Sequence, residues 1–416
     1  MSRKYSRWLS ENLKNALDNR RVVIIKGARQ TGKTTLAQQI KGAGFEYRTL
    51  DDTNLLDLAL GDPKGFLKTS AKTLVIDEIQ KAPRLISEIK MIVDKDNRNG
   101  QFLLTGSVNL QTARGARESL AGRVKNIRLR PLTVGEIFRK KPKFLESAFN
   151  ADFPALINGY DKEAIFDFAF RGAYPEAVRI NNFNQRREWH RDYLKTLIEY
   201  DLADIANIRR KDALEEILLN LAAWSAKFID MNAIGSSLSL SRTTVDSYVN
   251  WLLSLFIFDK VSPWLKTDYE RAGRKSKLYA ADTGLMASTL NWRIDEVMMN
   301  ADRSGKLMET FVYQELAAQV DLESGYSLYQ YRDREKREID FIVERAPDSG
   351  RDGATLGIEV KAGHSVSRKD FAPQEWFRDN LIKNKKAYTG IVLYSGNRTI
   401  MYSDNFLAVP IAALWA

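Results

Sequence analysis

Residues 27–34 read Gly-Ala-Arg-Gln-Thr-Gly-Lys-Thr, a G-x-x-x-x-G-K-T run. It lies between an apolar stretch, Val22-Val23-Ile24-Ile25, and a helix-forming stretch from Thr35 to Ile40. An unbroken apolar run of this length reads as a buried strand of a helix-covered parallel sheet. Two glycines let the backbone curl until its N–H groups face an anion, and the helix start adds partial positive charge. The stretch Gly27, Ala28, Arg29, Gln30, Thr31, Gly32, Lys33, Thr34 and Thr35 is therefore the expected phosphate site for ATP or ADP. Lys33 is placed to reach the β- and γ-phosphates, and the Thr34 hydroxyl to hold Mg²⁺. This strand–loop–helix unit predicts an α/β fold with a parallel sheet.

Thr73-Leu74-Val75-Ile76-Asp77-Glu78 is a second apolar run, delivering two carboxylates at its end. In a parallel sheet, that end is where ligands bind. Asp77 is expected to hold Mg²⁺ through water, and Glu78 to polarise the attacking water as general base. Phe102-Leu103-Leu104-Thr105-Gly106-Ser107 predicts another buried strand ending in hydroxyls, with Thr105 and Ser107 both able to sense the γ-phosphate. Arg123, after Glu118-Ser119-Leu120-Ala121-Gly122, is a candidate arginine finger. It would act in cis or across a homo-oligomer boundary. Residues 5–18 predict an amphipathic helix with Trp8, Leu9, Leu13 and Leu17 on one face.

The serial motifs Gly27 to Thr35, Val75-Ile76-Asp77-Glu78-Ile79-Gln80, Leu104-Thr105-Gly106-Ser107 and Ser119-Leu120-Ala121-Gly122-Arg123 resemble the bacterial and archaeal AAA ATPases of the AAA_14/DUF4143 family. These carry a C-terminal domain of unknown function. The resemblance covers essentially the whole chain. It implies an AAA+-type P-loop domain, related to the signal-transducing NTPases, over residues 1–140, and a helical lid or connector over 141–212. It also implies that Tyr174 and Pro175, in Phe170-Arg171-Gly172-Ala173-Tyr174-Pro175, lie against the nucleotide base. The family usually has an arginine where this chain has Tyr200 before Asp201, so no role is carried over to that position.

Residues 213–265 predict a winged helix-turn-helix. Helices are expected at Leu214–Trp224 and Met231–Leu238, then one opened by Ser241 that turns Val245, Tyr248, Val249 and Leu252 inward, then a strand from Phe256 to Val261. The outward positions pair Arg242 with Asp246 beside Thr243, Ser247 and Asn250, which is not a strongly basic reading surface.

Residues 266–416 hold the second constellation. Glu309 falls in an amphipathic helix. Asp340 falls in a strand, Glu338 to Val343, that pairs with Tyr329-Gln330-Tyr331. Glu359 and Lys361 share one face of the strand Gly357 to Lys361, because the period is two. Glu…Asp…Glu-x-Lys in helix–strand–strand order resembles the PD-(D/E)xK nuclease core, with Ile339 where that family usually has proline. The resemblance implies that Glu309, Asp340, Glu359 and the Val360 carbonyl bind Mg²⁺. It implies too that Lys361 activates water, and that these side chains form one exposed site.

Charge bears on the partner. The 416 residues carry 64 Lys+Arg against 53 Asp+Glu, net +11, which favours a polyanion: nucleic acid, DNA ahead of RNA. There is no cysteine, and His190 and His364 are the only histidines. Disulfides, thiolate chemistry and Cys-based zinc are thereby excluded. The start carries no apolar signal segment and no run is long enough to span a membrane, so a cytoplasmic location is expected. The expected function is an ATP-hydrolysing protein acting on nucleic acid, with nucleotide state coupled to a nuclease-like domain. The alternatives are a nucleotide-switched regulator that cuts nothing, and a DNA translocase or loader.

Overall fold

The computed structural model describes residues 5–40, 44–106, 122–201, 211–266, 275–322, 324–348 and 352–416. The chain divides into two compact units. The first comprises residues 1–132 with 253–257, and the second 133–252 with 258–416.

In the first unit, α1 (Leu9–Asn19) buries Leu9, Leu13 and Leu17 on one face and packs on β1 (Val22–Lys26). Next come α2 (Lys33–Gln39), β2 (Phe45–Thr49), α3 (Thr53–Gly61), β3 (Thr73–Asp77), α4 (Leu85–Lys95), β4 (Phe102–Gly106) and β5 (Val124–Arg128). The sheet order is β2-β3-β4-β1-β5 and every pairing is parallel. The three inner strands β3, β4 and β1 are buried at every residue, while β2 and β5, at the edges, are only partly covered. That is the unbroken apolar pattern a strand needs when helices cover both faces. Ile24, Leu74, Ile76, Phe102 and Leu104 pack with Ile86, Ile89 and Val93 of α4 in one core. Each such side chain contributes about 1.5–3 kcal/mol by leaving water. Because β4 lies between β1 and β3, its last residues end between the phosphate loop and Asp77.

The second unit begins with a helical turn, Val134–Ile137, closed by a capping box between Thr133 and Glu136. Then follow α5 (Lys162–Arg171), α6 (Phe183–Thr196), α7 (Lys211–Ala223), β6 (Lys227–Phe228), α8 (Met231–Ser237), α9 (Arg242–Ser254), β7 (Phe258–Val261) and β8 (Lys277–Ala280). β6, β8 and β7 form an antiparallel sheet in that order. Ser241 Oγ caps α9 through the Thr244 amide, and Val245, Tyr248, Val249 and Leu252 are buried, as the sequence pattern predicts.

Helices α10 (Thr283–Thr289) and α11 (Ala301–Val320) lead into a six-stranded mixed sheet. Its strands are β9 (Tyr326–Arg332), β10 (Glu338–Arg345), β11 (Ala354–Lys361), β12 (Tyr388–Tyr394), β13 (Ile400–Ser403) and β14 (Phe406–Pro410), with α12 (Ala372–Leu381) between β11 and β12. β9–β10 and β10–β11 are antiparallel, and β11–β12 is parallel. α11 is buried nearly all round and packs against β8, β9, β11 and α10, so it is the central rod of this unit.

Candidate functional site

The phosphate loop leaves β1 at Lys26 and enters α2 at Lys33. Gly27 has φ 155, and a Cβ there would stand 2.1 Å from the Leu129 carbonyl oxygen. Gly32 caps the helix at φ 95, in the left-handed region. Thr31 Oγ1 donates to the Ala28 carbonyl (2.9 Å), and Lys33 Nζ donates to the carbonyls of Gly27 (3.0 Å) and Ala28 (2.8 Å). Lys33 is 5 % exposed, so its ammonium lies inside the loop rather than in solvent. Arg7, 7 % exposed, braces the loop from α1's entry. Its guanidinium donates to the Thr31 carbonyl (2.7 Å) and to the carbonyls of Arg130 (2.7 Å) and Pro131 (3.4 Å).

Asp77 ends β3 beside this loop. Its carboxylate accepts hydrogen bonds from Thr34 Oγ1 (2.9 Å), Tyr47 Oη (2.7 Å) and Thr105 Oγ1. Thr105 Oγ1 also accepts from the Glu78 amide (3.2 Å). Burial first, then the Asp77 carboxylate, push the Tyr47 phenol up to about 12, so it stays a donor. Glu78 takes φ 59, left-handed for a residue with a Cβ, and the Gln80 amide donates to its carboxylate. Thr34 and Asp77 thus offer a hydroxyl and a carboxylate within reach of one cation beside the Lys33 loop, a donor set that fits Mg²⁺. Ser107 lies outside the described residues.

Two expectations need correction. Arg123 stands just before β5, and its carbonyl accepts from Val22 N at the start of β1. β5 runs parallel to β1, so Arg123 is at the edge of the sheet away from Gly27, with its side chain paired to Asp94. It is not a finger for its own chain's phosphate site. The Tyr174 ring is fully buried among Trp189 (5.7 Å between centroids) and Tyr193 (4.8 Å), so it has no face to offer a nucleotide base. Pro175 opens a short helix, Pro175–Arg179, at the position where a missing N–H costs nothing. The preceding turn is held instead by Asp282, fully buried, which accepts from Ala173 N (2.6 Å) and Leu285 N (2.7 Å). Burial pushes the Asp282 carboxyl up to about 6.

The C-terminal constellation assembles, but not as an exposed metal site. The register pairing Phe341 with Ile358 brings Asp340 opposite Glu359. Lys277, at the start of β8, stands among the carboxylates with its side chain 3 % exposed. Its Nζ lies 2.7 Å from Glu309 Oε1, 3.2 Å from Asp340 Oδ1 and 2.6 Å from Glu338 Oε1. Tyr279 Oη donates to the same Glu309 oxygen (2.6 Å), and the amide of Val360, rather than its carbonyl, meets Asp340 Oδ2 (2.9 Å). Lys361 Nζ donates to Glu359 (3.0 Å). Burial, then the Asp340 carboxylate, push the Glu309 carboxyl up to about 8 against the pull of Lys277. The same two causes raise Glu359 well above the usual range. Among the described residues, no group of three or more His, Cys, Asp or Glu is arranged to hold a metal. The expected ligand set of Glu309, Asp340 and Glu359 is corrected accordingly: the oxygens that would face a metal face an ammonium.

Sequence reading missed Arg7, Tyr47, Lys277 and Asp282. Only Lys277 left a signal, a lysine opening the strand Lys277-Leu278-Tyr279-Ala280 that is otherwise apolar or aromatic.

Among the described residues, no helix is long and apolar enough to cross a membrane. Residues 19–138 match the family model of an AAA domain, AAA_14. Residues 162–296 match a domain of unknown function, DUF8612, and residues 304–414 match another, DUF4143. An uncharacterized protein of Mycobacterium tuberculosis is 27 % identical over 401 residues, covering 96 % of this chain and 82 % of the relative. One from Methanocaldococcus jannaschii is 24 % identical over 358 residues, covering 82 % and 76 %. Among solved structures, a RuvB of Thermotoga maritima superposes with a TM-score of 0.28 at 18 % identity, over 61 % of this chain and 88 % of that one. A signal-transduction ATPase of Pyrococcus horikoshii with a tetratricopeptide repeat sensor gives 0.19 at 11 %, over 74 % and 44 %.

Proposed function

The chain belongs to the P-loop ATPases that join an AAA domain of the AAA_14 type to a C-terminal DUF4143 domain, and on that premise we propose that it hydrolyses ATP with Mg²⁺ to drive an action on nucleic acid. The observation that carries the reading is the Asp77 carboxylate, which gathers the hydroxyls of Thr34, Tyr47 and Thr105 beside Lys33.

Each residue then has a role. Lys33 would exchange its carbonyl partners for the phosphates, and Thr34 with Asp77 would hold the cation. Bound Mg²⁺ would neutralise charge developing on the transferred phosphoryl group. Glu78 takes the proton of the attacking water, oriented by Gln80, and Thr105 links the general base to Asp77. A glutamate in the left-handed region costs about 1–2 kcal/mol, a strain held directly after the end of β3. Arg123 could act only toward a neighbouring copy, in a homo-oligomer.

The domain reading is 1–140 for the ATPase, 141–212 for a helical connector, 213–265 for a winged helix-turn-helix and 266–416 for a nuclease-like fold. The order helix, strand, helix, helix, strand, strand through α7 to β8 supports the winged helix. The order α11, β9, β10, β11, α12, β12 supports the nuclease-like domain. Net charge +11 supports a nucleic-acid partner held first through its phosphates.

The test is ATP turnover by the full chain with and without duplex and single-stranded DNA, at two salt concentrations. Turnover that rises with DNA at low salt and loses the rise at high salt supports the reading. Wild-type turnover in Glu78→Gln, or no response to either nucleic acid, sinks it.

A further inference from the structure

We propose that Lys277 takes the place of the divalent cation in the C-terminal carboxylate cluster. The domain then holds a metal-free charge centre where a cutting site would need its cation. The inference does not depend on the nucleotide site; it rests on the contacts around one buried ammonium.

A metal that bridged helix α11 to strand β10 would need oxygens from Glu309 and Asp340 facing it together. Both do face a common point, and Lys277 Nζ stands there, 2.7 Å and 3.2 Å from them. These are the distances of charge-assisted hydrogen bonds. A third carboxylate, Glu338, reaches the same nitrogen at 2.6 Å. An ammonium has three hydrogens, and three carboxylates surround it. The rest of the shell is donors too: Tyr279 Oη on Glu309 and the Val360 amide on Asp340 Oδ2. A cation entering this shell would have to expel an ammonium already held by three carboxylates, its side chain being 3 % exposed.

Lys361 does not supply a second reactive group. It is bonded to Glu359 and lies 3.8 Å from Asp370. The two lysines face five carboxylates between them, Glu309, Glu338 and Asp340 on one and Glu359 and Asp370 on the other. The centre is therefore an internal ion network that joins β8, α11, β10 and β11. Hydrolysis of a phosphodiester by the one-metal route has no metal position left in it.

The experiment is a Mn²⁺ titration of the full chain without nucleotide, with free Mn²⁺ read by electron paramagnetic resonance. Wild type is expected to show no stoichiometric site that Asp340→Asn removes. Lys277→Met, which keeps the length of the side chain and drops its charge, is expected to gain one Mn²⁺ per chain at least tenfold tighter than wild type. Asp340→Asn in that background should abolish the gain. Wild type binding one Mn²⁺ that Asp340→Asn abolishes overturns the proposal, and this measurement stands even if Lys277→Met does not fold. Folded Lys277→Met that gains no site overturns it as well.

Discussion

Gly27 lies against the backbone of Leu129 so closely that a methyl group on it would meet the Leu129 carbonyl oxygen at 2.1 Å. Leu129 N in turn donates to Lys26 O, so strand end and loop start both lie against the same residue. Gly27→Ala should weaken ATP binding at least tenfold and cost about 2–4 kcal/mol of stability, since backbone cannot swing aside as a side chain does. Fluorescent-nucleotide binding and thermal unfolding measure the two. Alanine tolerated in both would mean the loop opens away from Leu129.

The Tyr47 hydroxyl is expected to matter for Mg²⁺ more than for ATP itself. It fixes Asp77 at Oδ2, the oxygen that also accepts from Thr34. A hydrogen bond to a charged group is worth about 1.5–3 kcal/mol. Tyr47→Phe should therefore raise the Mg²⁺ concentration needed for half-maximal turnover by roughly tenfold, with ATP affinity in the absence of Mg²⁺ unchanged. An unaltered Mg²⁺ profile would remove Tyr47 from the site.

Tyr174 should behave as core. Tyr174→Ala is expected to cost about 3–5 kcal/mol by leaving a cavity beside Trp189 and Tyr193. Tyr174→Phe should leave the ratio of ATP to GTP affinity unchanged. A shift in that ratio would return the residue to the nucleotide site.

Stability should fall with rising pH through Glu315. This residue on α11 is buried, and its Oε1 accepts from Val134 N at 2.9 Å. Burial pushes its carboxyl up to about 8 against the pull of that amide, and the nearby Glu136 carboxylate adds to the rise. A carboxyl raised in the folded state binds its proton more tightly there than in the unfolded chain. Its contribution is complete below the unfolded value near 4.5 and is lost as pH climbs through about 8. The slope from one such group is at most about 1.4 kcal/mol per pH unit. Glu315→Gln should flatten the decline of melting temperature between pH 5 and 8. Parallel curves for wild type and variant would count against it.

How far the sequence carried the fold depends on how local each contact is. The strand before the phosphate loop and the strand that ends in Asp77 just before Glu78 are contiguous apolar runs whose neighbours decide their structure, and both form as strands. Asp340 and Glu359 were legible because strand period and hairpin order fix their register. Arg7, Tyr47 and Lys277 were not. Arg7 meets a carbonyl 123 positions away, Tyr47 a carboxylate 30 away and Lys277 an aspartate 63 away. Nothing in the flanking residues distinguishes any of the three from a surface side chain, apart from the apolar strand that Lys277 opens. Tyr174 and the in-chain role of Arg123 failed for another reason. Motif order told which residues come in series, but burial decided one and the direction of β5 the other.

Glu315 Oε1 accepts from Val134 N, and Val134 opens the turn that Thr133 and Glu136 close with their capping box. That turn is therefore tied directly to α11. Six positions nearer the start of that helix, about 9 Å along its axis, sits Glu309 with Lys277. A helix is stiff over that length. The capped turn and the ion network are thus fixed to one rigid bar, and a twist of α11 would be felt at both of them.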